Sequence, residues 1–292
     1  MNIMTLFNVK KVIPVIGILA TLALLSACGS GGLNLNITKG SGNVKTETRQ
    51  VSGISEVRLN TSGDLTLSQG DTESLTIEAE DNILPLLTSE VTNGVLKLDT
   101  KENSSFSATK PVKYTLVVKN LNALADNGSG SITSQDLTLS NPLTITGNGS
   151  GSMTLANIQS GETQIKLSGS GSLTIASLKS DKVSVDVNGS GDGKVTTLTA
   201  QTFSANLNGN GALEVGGTTN DQTVNVLGSG SFSGEQFASK TAVVKTMGSG
   251  SANVQVSDTL DATINGSGSI NYKGNPTVTQ KDNGSGSVTQ KS

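Results

Sequence analysis

The sequence predicts an all-β fold: a right-handed parallel β-helix, or solenoid, of coils of about 20 residues behind a less regular N-terminal capping section. Three observations carry this. A Gly-x-Gly corner, nearly always Gly-Ser-Gly, begins at Gly128, Gly149, Gly169, Gly189, Gly209, Gly228, Gly248, Gly266 and Gly284, in steps of 18 to 21 residues. Apolar residues alternate on both sides of each corner, the mark of strands with one buried face. The corner also recurs once per unit rather than once per strand. Asn-Gly between alternating apolar residues is otherwise a hairpin signal, and hairpins would make an antiparallel meander. A meander would need a turn about every ten residues, so the solenoid is favoured.

After the corner the inward side chains are Ile132, Met153, Leu173, Leu213, Phe232, Ala252, Ile270 and Val288, with Gly193 in the remaining copy. Before it stand pairs such as Ile165 and Leu167, or Val185 and Val187. The structural corners are Gly128 and Gly130, Gly149 and Gly151, Gly169 and Gly171, Gly189 and Gly191, Gly209 and Gly211, Gly228 and Gly230, Gly248 and Gly250, Gly266 and Gly268. Glycine suits a tight corner with φ > 0 and close backbone approach. Asn precedes the first glycine in six copies, and Ser168, Leu227 and Met247 replace it in three. A stacked Asn can ladder with its neighbours. Two functional readings of the corners fail. A dinucleotide fingerprint needs a following helix; a calcium-binding coil needs regular Asp, and only Asp192 directly follows a corner. The Asn-Gly-Ser triplets spell glycosylation acceptors, read here as by-products of turn chemistry.

At the N-terminus, Lys10 and Lys11 precede an apolar run from Val12 to Leu25, which ends in Leu25-Ser26-Ala27-Cys28. The run is too short for a membrane-spanning helix and fits a secretory signal over residues 1–27. Its end resembles the lipobox of bacterial lipoproteins. That resemblance implies cleavage before Cys28, lipidation of Cys28, and a membrane partner through that anchor. Gly29 in place of Asp leans towards the outer membrane by the same resemblance. Cys28 is the single cysteine, so no internal disulfide is available. Without residues 1–27 the chain carries 18 basic and 23 acidic side chains, a net charge of −5. That balance argues against nucleic acid as a partner.

Residues 28–38 read as the lipidated Cys and a tether, and 39–292 as one domain. Within it, 39–127 is the opening or capping section and 128–292 the Gly-Ser-Gly repeats. In the opening section, strands are expected at 56–59, 64–68, 75–79, 95–99 and 113–119. Asp81 or Asn82 is expected to cap a single helical turn shortened by Pro85. Gly40-Ser41-Gly42-Asn43-Val44, Glu47-Thr48-Arg49-Gln50-Val51-Ser52-Gly53-Ile54, Asp81-Asn82-Ile83-Leu84 and Val95-Leu96-Lys97-Leu98, followed by the repeats, resemble the head GIN domain family (DUF2807) of adhesin-like proteins. The resemblance implies a β-helix-like fold, export and an adhesin-like role. It carries over no ligand and no catalytic residue.

The chain has no His and no Trp, which removes the usual metal ligands and nucleophile–base pairs. No cofactor or metal is expected. Arg49 and Arg58 are the only arginines. The repeat carboxylates Glu162, Asp181, Asp186 and Glu214 fall at different places in their coils and read as solvated wall charges. Phe232 and Tyr272 fall on the inward phase. Thr133, Thr154, Thr174, Thr196, Ser233 and Thr289 fall on the outward phase, so a Thr/Ser/Asn wall faces solvent. The expectation is a non-enzymatic cell-envelope lipoprotein, an adhesin or structural module whose partner is a glycan or an envelope or host protein. The alternatives are a carbohydrate-active β-helix enzyme and a self-assembling extracellular scaffold subunit.

Overall fold

A computed structural model describes residues 37–292. The signal segment 1–27, Cys28 and the tether up to residue 36 lie outside the described residues. The opening section contains β1 (Ile37–Lys39), β2 (Val44–Arg49), β3 (Glu56–Leu59), β4 (Asp64–Gln69), β5 (Ser74–Glu80), β6 (Leu87–Thr92), β7 (Val95–Thr100), β8 (Ser105–Ser107) and β9 (Lys113–Val118). From Ala123 onward the chain settles into stacked parallel coils, as the period predicts.

Each coil has a run before the Gly-x-Gly corner and a run after it. The run before pairs in parallel with its counterparts, as in Leu143–Gly147 on Glu162–Leu167 on Lys182–Val187. The run after does the same, as in Ser152–Gln159 on Ser172–Lys179 on Asp192–Thr199. A kink at Ala156 and Ala176 breaks the alternation, so residues 157–159 and 177–179 form a third short run. A link corner, such as Ser160-Gly161 or Ser180-Asp181, returns the chain to the next coil.

The core is a set of columns. Val57, Leu124, Ile145, Ile165, Val185, Ala205, Val224, Val244 and Ala262 follow one another in register, all buried. Burying each larger member contributes about 1.5–3 kcal/mol. Gly193 interrupts a neighbouring column, and its missing side chain is filled by Leu213 and Leu167, whose methyls lie 3.0 and 3.2 Å from where a Cβ would stand. Phe203 meets Phe232 and Phe237 at centroid distances of 6.0 and 5.0 Å.

The opening section is a cap, and its chain order is not its stacking order. β3 lies between β7 and Ala123–Asp126, and β4 lies between β9 and Ser131–Ser134. The chain thus lays the β3–β4 coil, descends to β7 and β9, then climbs back above β4. Antiparallel strands close the bottom: β6 on β7, and β5 then β2 on β9. Stacking therefore begins at Asn60-Thr61-Ser62-Gly63, before the first Gly-Ser-Gly at Gly128. The glycines at 128 and 130 rest on Thr61 and Gly63.

Two expectations need correction. The corner glycines are not there for φ > 0: of the pairs from Gly128 to Gly284, only Gly248 has positive φ, at 155°, close to extended. Their reason is close approach, since a Cβ at Gly149, Gly169 or Gly189 would meet the carbonyl oxygen of the corner below. Second, neither Asp81 nor Asn82 caps the helical turn. The turn is a 3-10 turn, Leu84–Leu86, whose N-cap Ile83 offers no side-chain bond. Asn82 instead accepts from the Ser41 N–H at 3.0 Å and donates to the Lys39 carbonyl at 2.7 Å, tying the start of the domain to the cap.

Candidate functional site

The outer surface of the post-corner sheet gathers its hydroxyls into files. Thr48, Thr76, Thr115, Thr66, Thr133, Thr154 and Thr174 stand in register on seven adjacent strands. Thr133 and Thr66 hydroxyls approach to 3.4 Å. Beside them run Ser131, Ser152 and Ser172, with Ser131 donating to Asp64 at 2.7 Å. The two files make a grid of about 4.8 Å along the stack and roughly 6.6 Å along each strand. Threonine suits this place because its β-branch favours a strand and leaves one methyl and one hydroxyl outward.

The file ends where Lys194 follows Thr174 and pairs with Glu214 on the next coil at 2.8 Å. Beyond Glu214 the same register holds Ser233, Asn253, Asn271 and Thr289. Thr196 is not a member: it stands at the kink, beyond the inward Val195. Only Thr133, Thr154 and Thr174 of the expected outward residues share the unbroken threonine file. The other four threonines come from the cap, where antiparallel pairing and the inverted coil order hide them from any sequence period.

A third file, of asparagines, runs along the corner. Asn148 donates to Asn127 at 2.9 Å, Asn127 to Asn60 at 2.9 Å, Asn208 to Asn188 at 2.7 Å and Asn283 to Asn265 at 2.8 Å. Leu227 and Met247 interrupt it and are exposed. Phe203, Phe232 and Phe237 are buried, and Phe106 and Tyr272 pack partly buried against the core, so among the described residues none of these rings stands open.

The repeat carboxylates stay apart. Glu162 pairs with Lys182 at 2.9 Å, Glu214 with Lys194, and Asp186 accepts from Asn206 at 2.9 Å. Asp181 lies at a link corner. Among the described residues no three His, Cys, Asp or Glu gather as metal ligands. Such exposed pairs contribute little to stability.

The perturbed acids belong to the scaffold. Glu80 is buried in the cap and accepts from the Thr109 hydroxyl at 2.6 Å, the Thr109 N–H at 2.8 Å and the Gly42 N–H at 2.6 Å. The Thr109 hydroxyl, helped by these amides against the opposing effect of burial, holds its carboxyl below the usual range. At Asp99 burial pushes upward, but the Asn60 amide, the Thr100 N–H and Lys97 outweigh it. Burial raises Asp126, against one bond from the Gly128 N–H. Burial also raises the Tyr114 phenol. Arg49 donates to the carbonyls of Leu87 and Leu84 at 2.8 and 3.2 Å, pinning β2 to the cap.

No curated protein matches this chain. Solved structures do. A "putative adhesin" from Parabacteroides distasonis ATCC 8503 is 21% identical with a TM-score of 0.68. A "putative lipid binding protein" from the same organism is 25% identical with a TM-score of 0.67. A "putative adhesin" from Parabacteroides merdae ATCC 43184 is 22% identical with a TM-score of 0.64. Each comparison covers 87% of this chain and 99% of the other. The two adhesin likenesses are likenesses of fold. A family described as "Putative auto-transporter adhesin, head GIN domain" matches residues 53–177 and 163–276. On those spans, which take in most of the coils and part of the cap, the chain belongs to the DUF2807 family.

Proposed function

We propose that this protein is a cell-envelope adhesion module, anchored by lipid on Cys28, that offers its hydroxyl wall to a surface partner. The observation that carries the reading is the uninterrupted file of seven threonines. Bonding between adjacent strands holds the main chain beneath each threonine, and a β-branched side chain has few rotamers to lose, so little order is lost on contact. Family membership supports an envelope adhesion role. The scattered carboxylates favour binding over catalysis. The name of the lipid-binding relative finds less support, because the buried columns leave the apolar side chains packed on one another.

The test is attachment. Cells lacking the protein are compared with cells expressing the native chain or a Thr133→Lys, Thr154→Lys double variant, on abiotic, glycan-coated and host-protein-coated surfaces. Attachment is expected to fall in the deletion and in the wall variant at equal protein level. Equal attachment of all three strains on every surface contradicts the reading.

A further inference from the structure

A groove runs along the link corner between the third run of one coil and the first run of the next. Its larger part has a volume of about 680 Å³, and a smaller part of about 270 Å³ continues it through Thr199, Ala200 and Gln201. The larger part lies where the corner spacing falls from 20 to 18 residues. Strand register slips there, between Ser233 and Ala238 and between Ser239 and Thr241. Gly274, in an 18-residue coil, and Gly217, in the earlier 19-residue coil, turn with φ of 100° and 110°. The groove is therefore a local departure from the regular coil, and it is unrelated to the threonine wall.

We propose that this groove is a binding site for an oligosaccharide. Its volume lies in the range of ligand sites, about 300–1,000 Å³. Ala200 and Val256 give it a buried apolar floor, and Gln201, Asn220 and Gln255 give it side-chain amides. Amides donate and accept, as sugar hydroxyls do. Lys240 is the charged member of the larger part, which has no carboxylate in its lining.

The main chain here argues against a peptide. Peptides that add to a sheet need an unpaired edge. At this corner the coils already bond one another: Ala200 N–H to Thr218 C=O at 3.1 Å, Thr219 N–H to Ala238 C=O at 2.9 Å, and Lys240 N–H to Asn220 C=O at 3.0 Å. Recognition is left to side chains that form hydrogen bonds in both directions over a small apolar floor, which is sugar chemistry. The amides are also partly ordered already, since Asn220 donates to Gln201 across adjacent coils. This site stands on the groove itself and is independent of the adhesion reading.

The experiment uses the chain from residue 29 onward, with its full domain, on an array of defined neutral and uronate-bearing oligosaccharides, followed by titration of the strongest binder. Binding of at least one oligosaccharide is expected. A Gln201→Ala, Asn220→Ala variant should bind about tenfold more weakly, the scale of one or two lost hydrogen bonds. Ala238→Leu, which fills the groove, should abolish binding, and Lys281→Ala, exposed on Thr277–Asp282 away from groove and wall, should leave it unchanged. Circular dichroism and melting check folding of every variant; if Ala238→Leu unfolds, the exposed amide variant decides. The proposal is overturned if no oligosaccharide binds, if the amide variant keeps native affinity, or if an unrelated extended peptide competes equally for the groove. Loss of attachment by the wall variant with intact sugar affinity would leave this site standing. Native attachment by groove variants that have lost the sugar would separate the two activities.

Discussion

The carbonyl oxygen of Gly149 lies inside contact distance of the point where a Cβ on residue 169 would stand. That relationship repeats up the corner and sets the spacing of the stack. The Gly169 N–H meanwhile donates to Gly147 C=O at 3.2 Å, and the Ser170 N–H to Gly149 C=O at 3.3 Å. Side-chain volume cannot be admitted without opening these bonds.

Gly169→Val should therefore destabilise the domain by roughly 1–3 kcal/mol, as overpacking does. The double change at Gly169 and Gly189 should cost more, because neighbouring coils can no longer compensate. Gly161 is the control: a Cβ there meets nothing and its φ is not positive. Gly161→Ala should lie within about 0.5 kcal/mol of the native protein, as surface changes do. Thermal melting checks both, and an unchanged midpoint for the double variant contradicts the close-approach account.

Glu80 predicts an acid-sensitive cap. Its folded pKa is depressed below the ordinary 4.5. The stability it provides is thus fully present above that value and is lost as pH falls through the lower folded value. Asp99 acts in the same sense. Asp126 acts oppositely, since burial raises its pKa and its ionisation above the ordinary 3.8 costs stability. Glu80→Gln should lower stability at neutral pH and flatten the acid limb of a stability–pH curve measured by urea unfolding. Parallel curves for variant and native protein would mean Glu80 stays bonded equally well when protonated.

Gln222 sits in a core column between Phe203 and Ala242, is 1% exposed, and neither amide atom has a hydrogen-bond partner. An unbonded buried polar group costs about 1–3 kcal/mol. Gln222→Leu keeps a similar shape and removes that cost, so its melting midpoint should rise. A fall would show that the amide is satisfied in solution.

The coils were legible because close packing leaves a mark at fixed spacing: Gly149 and Gly169 must be glycine wherever corners stack. The lowest corner, Asn60–Gly63, was not legible. Its first position holds Thr61, because β7 beneath it runs into residues 101–112 rather than into a matching corner, and its Gly63 is held small by the Tyr114 ring rather than by a corner carbonyl. The threonine file was half legible. Thr133, Thr154 and Thr174 share a sequence period, while Thr48, Thr76 and Thr115 reach the file through antiparallel pairing and a coil laid out of order. The groove left no periodic signal because it arises where the period changes.

The central claim is that the wall faces a partner outside the cell. The direct measurement is labelling of a Thr154→Cys variant with a membrane-impermeant maleimide, on intact and on permeabilised cells, with the native chain as background. Thr154 is exposed on the wall, so its replacement should react without unfolding the coil. The adhesion account predicts labelling on intact cells. Labelling that appears only after permeabilisation would place the wall inside the envelope and contradict it.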